Sequence, residues 1–303
     1  MQLHREESIS MRTVQAVASY APSRDLSNNS PLLWWHLLSL DAPTIAGLWC
    51  WSFGHAFGVS LPWFGVVTLC LGTWCVYVAD RLLDGWNKKS DVTLRERHIF
   101  YLCYRHLFLW ALTAAALPLA YFILVRVSAR VRKDDLLLAL IGCLYFSTIR
   151  TSLAQKWIPK EIVVGVLFAV ATALPCWSRL PTNHAWMLAC SIIFAALCCW
   201  NCVAIQIWED DRSAVRTEVF PHTVTSWAGR HLRPFAICLA VLPAAMSIFS
   251  PAVGIQILLA SCSLSGILFL LMDHYGASLQ ARTMRIGADL ALLTPLMWIW
   301  MIR

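Results

Sequence analysis

The sequence Tyr77-Val-Ala-Asp80-Arg81-Leu-Leu-Asp84-Gly85 closes a long apolar run and opens a basic segment. Because Asp80 and Asp84 are four residues apart, a helix that continues through them places both carboxylates on one face, one turn apart. An acidic pair at a bilayer boundary is costly unless it is compensated, so it indicates a functional site. The natural compensation is Mg²⁺, which takes one or two carboxylates and completes its shell with waters and phosphate oxygens. The alternative is a solvated helix end in which Arg81 pairs with one Asp.

The composition of the chain is that of a membrane protein. Of its 303 residues, 59% are hydrophobic and only 14% are charged, against roughly 25% charged residues in soluble domains. We therefore predict an all-α, polytopic membrane fold. The net charge of +7 is attributed to basic residues that flank the membrane, and no nucleic-acid partner is predicted. The twelve cysteines lie in or beside apolar runs, where Cys behaves as a small hydrophobe.

Hydropathy divides the chain into two parts. Residues 1–31 are polar and mixed and are predicted to be a flexible tail, whereas 32–303 form the transmembrane domain. Nine segments are near the length needed to cross a hydrocarbon layer of about 30 Å. The seventh is short and contains Pro243, so a count of eight is the alternative. The segments cover residues 32–56, 60–84, 106–126, 134–152, 161–177, 186–208, 235–249, 252–272 and 286–302.

The basic residues predict the orientation of the chain. Most of the 24 Lys and Arg residues fall in the tail and in the connections on the N-terminal side of the predicted membrane. Since cytoplasmic loops carry the excess of positive charge, the N-terminus and these connections are expected to be cytoplasmic. The connections after the second and sixth segments then lie on the same side.

A second acidic stretch ends the sixth segment. It contains Gln206, Trp208 and the three acids Glu209, Asp210 and Asp211, followed by Arg212 and Arg216. Carboxylates from two helix ends with nearby cations suit a diphosphate that is held through Mg²⁺. An ordinary charged helix end is the alternative explanation.

These motifs resemble those of the UbiA superfamily of intramembrane prenyltransferases. The first family motif, Asn-xxx-Asp-xxx-Asp, falls on Val76, Asp80 and Asp84, and the second, Asp-xxx-Asp with a later Thr, falls on Gln206, Asp210 and Thr217. A third match is Lys156-Trp-Ile-Pro159-Lys160-Glu161, before a helix that contains Gly165 and ends at Pro175. The sequence departs from the family at Val76, where Asn is usual, and at Gln206, where Asp is usual.

The resemblance implies about nine helices around a lipid-open cavity, a prenyl diphosphate substrate and Mg²⁺ as the cofactor. It makes Asp80, Asp84 and Asp210 the catalytic residues, and it places the metal on these residues together with Glu209 or Asp211. Arg95, Arg97 and His98 would form a lid over the cavity mouth, although cytoplasmic anchoring charge explains them equally well. The other residues expected at the substrate are Arg81, Lys156, Lys160, Gln206, Arg212, Arg216, Tyr77 and Trp208.

Aromatic rings and isolated acids add two further expectations. Tyr77 and Trp208, with Trp74 and Trp200, are candidates to face a carbocation, with core packing as the alternative. Asp289 is expected to pair with Arg285, one turn earlier on the last helix, with a place at the cavity as the alternative. Asp41 precedes Pro43, and it is expected either to begin a helix or to mark a kink.

The function expected from these residues is Mg²⁺-dependent ionisation of an allylic prenyl diphosphate within the membrane. The two departures from the family motifs favour intramolecular cyclisation by a UbiA-type terpene cyclase. Transfer of the prenyl group to an aromatic or other lipophilic acceptor is the alternative. A non-enzymatic lipid-binding or transport protein is the alternative from another class.

Overall fold

The computed structural model describes residues 31–87, 96–148, 159–211, 222–276 and 279–297. This part of the chain is built from helices and their connections and contains no strand. The helices are α1 (Pro31–Leu37), α2 (Asp41–Ala56), α3 (Trp63–Asn87), α4 (Glu96–Cys103), α5 (Arg105–Tyr121, extended by a π-turn over Phe122–Arg126), α6 (Ala129–Thr148), α7 (Lys160–Trp177), α8 (His184–Asp211), α9 (Thr223–Arg230), α10 (Leu232–Ile248), α11 (Val253–Tyr275) and α12 (Ala281–Ala291).

Five helical segments among the described residues are long and apolar enough to cross a membrane. They are Trp63–Leu83, Arg105–Arg126, Lys160–Trp177, His184–Glu209 and Val253–Tyr275. Helices α9 and α10 add a sixth if they form one span, although they are bent by 68° at their junction. The all-α class is therefore confirmed for the described residues, and the long apolar helices suggest a membrane protein. The count of nine spans and the central cavity stay predictions.

The first predicted span is divided by a left-handed residue. Ser39 has a φ of 55°, a conformation that L-residues rarely adopt and that a helix cannot contain. The break separates α1 from α2. Helix α2 begins at Asp41, which confirms the expectation that this acid begins a helix. The carboxylate of Asp41 accepts a hydrogen bond from the backbone N–H of Ala42 at 2.9 Å.

The last predicted span is also divided. Helix α12 ends at Ala291, and a 3₁₀ turn over Thr294–Met297 follows. Pro295 lacks a backbone N–H and so cannot continue an α-helical ladder. The break leaves the carbonyl of Leu292 available, and the indole N–H of the fully buried Trp49 donates to it at 2.7 Å.

Aromatic side chains fill the core where the spans meet. Trp49 of α2 stacks on Phe194 of α8, with the ring centroids 4.4 Å apart. One level along α8, Trp200 stacks on Phe269 of α11 at 4.2 Å. Such contacts stabilise a helix bundle through area and ring geometry together, and they fix α8 at the centre of the fold.

Helices α7 and α8 approach closely at Gly165. A Cβ atom built at this position would lie 2.6 Å from the backbone nitrogen of Cys199. The thiol of Cys199 in turn donates to the carbonyl oxygen of Ile162 at 3.4 Å. Small residues at helix contacts allow this approach of two backbones in membrane proteins.

We expect Gly165→Val to destabilise the fold by about 1 to 3 kcal/mol more than Gly142→Val, because only the first forces two helices apart. Gly142 of α6 is a matched control, since a Cβ there meets nothing within 4 Å. Both substitutions replace a helical glycine by valine, so the change in helix propensity is the same. The measurement is the midpoint of unfolding in detergent. Equal midpoints for the two variants would contradict the close approach.

Candidate polar site at the ends of α3 and α8

Adjacent residues near the end of α3 face different surroundings. Asp80 keeps 31% of its side chain exposed, and Val76, one turn earlier on the same face, is 46% exposed. Arg81 is only 5% exposed, because consecutive helical residues point about 100° apart. The motif therefore offers one carboxylate to an open face and one guanidinium to the interior.

Lys160 links the open face of α3 to the start of α7. Its ammonium nitrogen lies 3.8 Å from Oδ1 of Asp80, and it is the first helical residue after Pro159. The next residue, Glu161, accepts a hydrogen bond of 2.8 Å from the hydroxyl of Thr225 on α9. These two contacts draw α3, α7 and α9 together at one end of the bundle.

The acidic end of α8 lies at the same end. Helices α7 and α8 are antiparallel neighbours with Ile162 bonded to Cys199, so the residues of α8 beyond Cys199 extend toward Lys160 and past it. Glu209 of this region accepts a hydrogen bond of 2.9 Å from Nη1 of Arg285 on α12. The pair is largely enclosed, with side chains 12% and 18% exposed.

The aromatic candidates lie mostly in the core. Trp208 is 6% exposed and meets Trp200 edge-on, with centroids 5.7 Å apart. Trp200 is covered on one face by Phe269 and donates to the carbonyl of Leu232 at 2.9 Å. This placement matches the packing alternative for these two rings. Tyr77 is half-buried on α3, and Trp74 donates to the carbonyl of Leu38 at 3.0 Å.

Several predicted site residues lie outside the described structure. Some of them lie on helices α3, α4 and α8, but their side chains are not described. These residues are Asp84, Arg97, His98, Asp210 and Asp211. The backbone positions of the others also fall outside: Arg95, Lys156, Arg212 and Arg216. The predictions for these nine residues stay predictions. Gln206 is described and is half-buried on α8.

A cluster of buried polar side chains lies beneath the open face of α3. We call it the buried polar cluster, and it consists of His36, Asp41, Arg81, Asn201 and Asp289. A hydrogen bond of 2.8 Å joins Nδ1 of His36 to Oδ2 of Asp41, and the same nitrogen lies 3.9 Å from Oδ2 of Asp289. Nδ2 of Asn201 donates to Oδ1 of Asp289 at 3.2 Å. The cluster therefore connects α1, α2, α8 and α12.

Arg81 closes the cluster on the side of α3. Its Nη1 donates to the backbone carbonyl of His36 at 3.1 Å, and its Nη2 lies 3.7 Å from Oδ2 of Asp41. The guanidinium stands over the ring of Tyr101 with 5.7 Å to the centroid. The Tyr101 hydroxyl is fixed by a hydrogen bond of 2.6 Å to Ser39, at the residue that breaks the first helix.

Two atoms of the cluster have no hydrogen-bond partner in the described structure. They are Nη2 of Arg81 and Oδ1 of Asn201, and both are fully covered. Nε of Arg285, whose Nη1 donates to Glu209, is also buried without a hydrogen-bond partner among the described residues. Because buried polar atoms are nearly always hydrogen-bonded, each unpaired one needs an explanation.

The two carboxylates of the cluster differ in their surroundings. Asp41 has Nδ1 of His36 at 2.8 Å and accepts from the backbone N–H of Ala42 at 2.9 Å, and Nη2 of Arg81 lies 3.7 Å from it. Asp289 accepts from Nδ2 of Asn201 at 3.2 Å and lies 3.9 Å from Nδ1 of His36. Asp41 is therefore the carboxylate that lies beside Arg81.

The sequence prediction for Asp289 differs from the structure. Arg285 was expected to pair with Asp289, but its guanidinium donates to Glu209, and Asp289 instead accepts from Asn201. His36 and Asn201 were not predicted as site residues. The signal for both was their isolation as polar residues within apolar segments, which marks intramembrane polar groups as functional candidates.

No family model, no curated protein and no solved structure matches the chain.

Proposed function

We propose that this protein is an integral membrane enzyme that ionises an allylic prenyl diphosphate, in keeping with its resemblance to the UbiA superfamily. The observation that supports the proposal is that acidic side chains of α3 and α8 lie at the same end of the bundle. Asp80 and Glu209 are each accompanied by a basic side chain, Lys160 or Arg285. Carboxylates for a metal with cations for outer phosphate oxygens are what recognition of a diphosphate requires.

The donor chemistry at Asp80 fits Mg²⁺. The ion is bound in proteins by one or two carboxylates and keeps several waters, and Asp80 presents a partly exposed carboxylate on an open face. Asp84, Asp210 and Asp211 are the proposed additional ligands. When bound, Mg²⁺ supplies Lewis-acid stabilisation of the charge that develops on the departing diphosphate.

The basic residues of the site hold the phosphate oxygens in this proposal. Lys160 has a side chain 43% exposed and stands 3.8 Å from Asp80, so its flexible ammonium group can turn from the carboxylate to a phosphate oxygen. Arg285 already donates through Nη1 to Glu209 and retains an unpaired Nε donor. An unpaired buried guanidinium donor favours an anionic ligand, because it restores the missing hydrogen bond.

The fate of the allylic cation separates two forms of the proposal. The replacement of the usual motif residues by Val76 and Gln206 favours cyclisation over transfer to an acceptor. Val76 stands one turn from Asp80 on its open face, so an apolar group occupies the position of a polar one beside the metal site. The nine-helix arrangement around a lipid-open cavity, with a cytoplasmic mouth, belongs to the same proposal.

An incubation without acceptor tests the proposal. Membranes that contain the protein are supplied with geranyl, farnesyl or geranylgeranyl diphosphate and Mg²⁺, and we expect diphosphate release together with a cyclic hydrocarbon or alcohol in the hexane extract. The measurements are released diphosphate and mass spectrometry of the extract. Turnover only after a phenol or quinone precursor is added would make the protein a prenyltransferase. No release under either condition would overturn the enzymatic proposal in favour of lipid binding or transport.

A further inference from the structure

We infer that the buried polar cluster is a second cation site, for Zn²⁺, with His36, Asp41, Asp289 and the side-chain oxygen of Asn201 as its ligands. The site is separate from the Mg²⁺ site proposed at Asp80, and it does not depend on the enzymatic activity of the protein. It lies in the interior of the bundle, whereas Asp80 lies on an open face.

The first argument is the spacing of the ligand atoms. His36, Asp41 and Asp289 each offer one ligand atom, and these atoms all lie within 4.8 Å of one another. Two of the separations are 2.8 and 3.9 Å. Four ligands at about 2.0 to 2.1 Å from a tetrahedral Zn²⁺ stand on the order of 3.3 Å apart. The observed separations bracket this value, so small side-chain movements suffice to bind the ion.

The second argument is independent of the acidic pair, and it comes from Asn201. This residue is 8% exposed, its Nδ2 is bonded to Asp289, and its Oδ1 has no hydrogen-bond partner. The unpaired oxygen therefore belongs to a side chain that is held against one of the ligands. An amide oxygen binds cations, so an ion in the cluster supplies the partner that Oδ1 lacks.

The third argument is the charge of the cluster and the contacts that Arg81 makes with two of the ligand residues. Two buried carboxylates face the single permanent positive charge of Arg81, which leaves the cluster short of positive charge when both are ionised. Arg81 lies near Asp41 and donates to the backbone of His36. Groups in such positions orient the ligands of protein metal sites. The competing arrangement is the metal-free hydrogen-bonded network itself.

The ligand set selects the metal. One imidazole nitrogen with carboxylate and amide oxygens suits a borderline ion such as Zn²⁺. Mg²⁺ prefers an all-oxygen shell with several waters, which an enclosed site with a histidine does not provide. Co²⁺ replaces Zn²⁺ in such sites and gives visible absorption bands, so it is a suitable probe.

The test uses the full chain purified in detergent. We expect about one zinc per chain by mass spectrometry, and visible absorption when Co²⁺ is added to the metal-free protein. His36→Gln and Asp289→Asn should weaken Co²⁺ binding at least about tenfold. Asp273→Asn is the matched control, because Asp273 of α11 pairs with Arg233 of α10, whose side chain is 57% exposed. Asp80→Asn should keep its zinc, which separates this site from the one proposed for Mg²⁺.

X-ray absorption at the zinc edge of the wild-type protein provides a measurement that does not depend on folded variants. A first shell of nitrogen and oxygen with an imidazole signature supports the inference. A sulfur shell would overturn it, since it would assign the zinc to some of the twelve free cysteines. Folded wild-type protein that holds no zinc and gives no Co²⁺ spectrum would also overturn it, and so would unchanged binding in both folded variants.

Discussion

Membranes that contain the Asp80→Asn variant should release diphosphate about 10² to 10³ times more slowly than wild-type membranes. The substitution keeps the size of the side chain and removes the charge that the proposed Mg²⁺ requires. Asp80 is the described carboxylate on the open face of α3, and Lys160 is at 3.8 Å from it. The measurement is the initial rate of diphosphate release at saturating prenyl diphosphate and Mg²⁺. Asp84→Asn should lose activity to a similar extent, because Asp84 follows Asp80 by four residues in the sequence and is the second proposed ligand.

Asp273→Asn is the control for this loss. Asp273 also pairs with a basic residue, Arg233, but that pair is on α11 and α10, and the Arg233 side chain is 57% exposed. Its rate should remain close to that of the wild type. Normal turnover by the folded Asp80→Asn and Asp84→Asn variants would remove the metal-site argument from the proposed function.

Arg81→Met should destabilise the protein by about 3 to 5 kcal/mol, the range for loss of one partner from a buried ion pair. The methionine fills most of the space but leaves the carboxylate of Asp41 and the carbonyl of His36 without their donor. Both Arg81 and Asp41 are at most 5% exposed, so water cannot replace the lost contacts. The measurement is unfolding in mixed micelles with increasing denaturing detergent, followed by the fluorescence of the sixteen tryptophans.

Arg233→Met is the matched control for this effect on stability. It removes the same guanidinium from a pair whose Arg233 side chain is 57% exposed, so the expected change is below about 1 kcal/mol. The two substitutions carry the same change in helix propensity and volume. Similar unfolding curves for both variants would contradict the assignment of Arg81 to a closed polar network.

Hydropathy predicted the helical class and the main spans because long apolar runs are a local property. The segments near 60–84, 161–177, 186–208 and 252–272 correspond to α3, α7, α8 and α11 within a few residues. Both divided spans have local causes that hydropathy averages away. Ser39 adopts a left-handed conformation, and Pro295 follows the end of α12. Neither residue changes the mean hydropathy of a span-length window enough to reveal the helix break.

The candidate site was predicted only in part, because its contacts join distant residues. Spacing within one helix indicated that Asp80 is presented at a helix end and that Lys160 begins the helix after Pro159. Spacing also suggested that Arg285 would reach Asp289, but Glu209 on α8 competes for the same guanidinium. The spacing of residues within one helix contains no information on a partner from another helix. The same limit concealed His36 and Asn201, whose roles depend on Asp289.

The buried polar cluster has a consequence for the biogenesis of the protein. His36 and Asp41 are synthesised about 250 residues before Asp289, which lies 3.9 Å from His36. These polar groups are therefore without their final partner until α12 has been made. A nascent chain halted before α12 would leave the His36–Asp41 pair without Asp289, so the polar network closes only with the synthesis of α12.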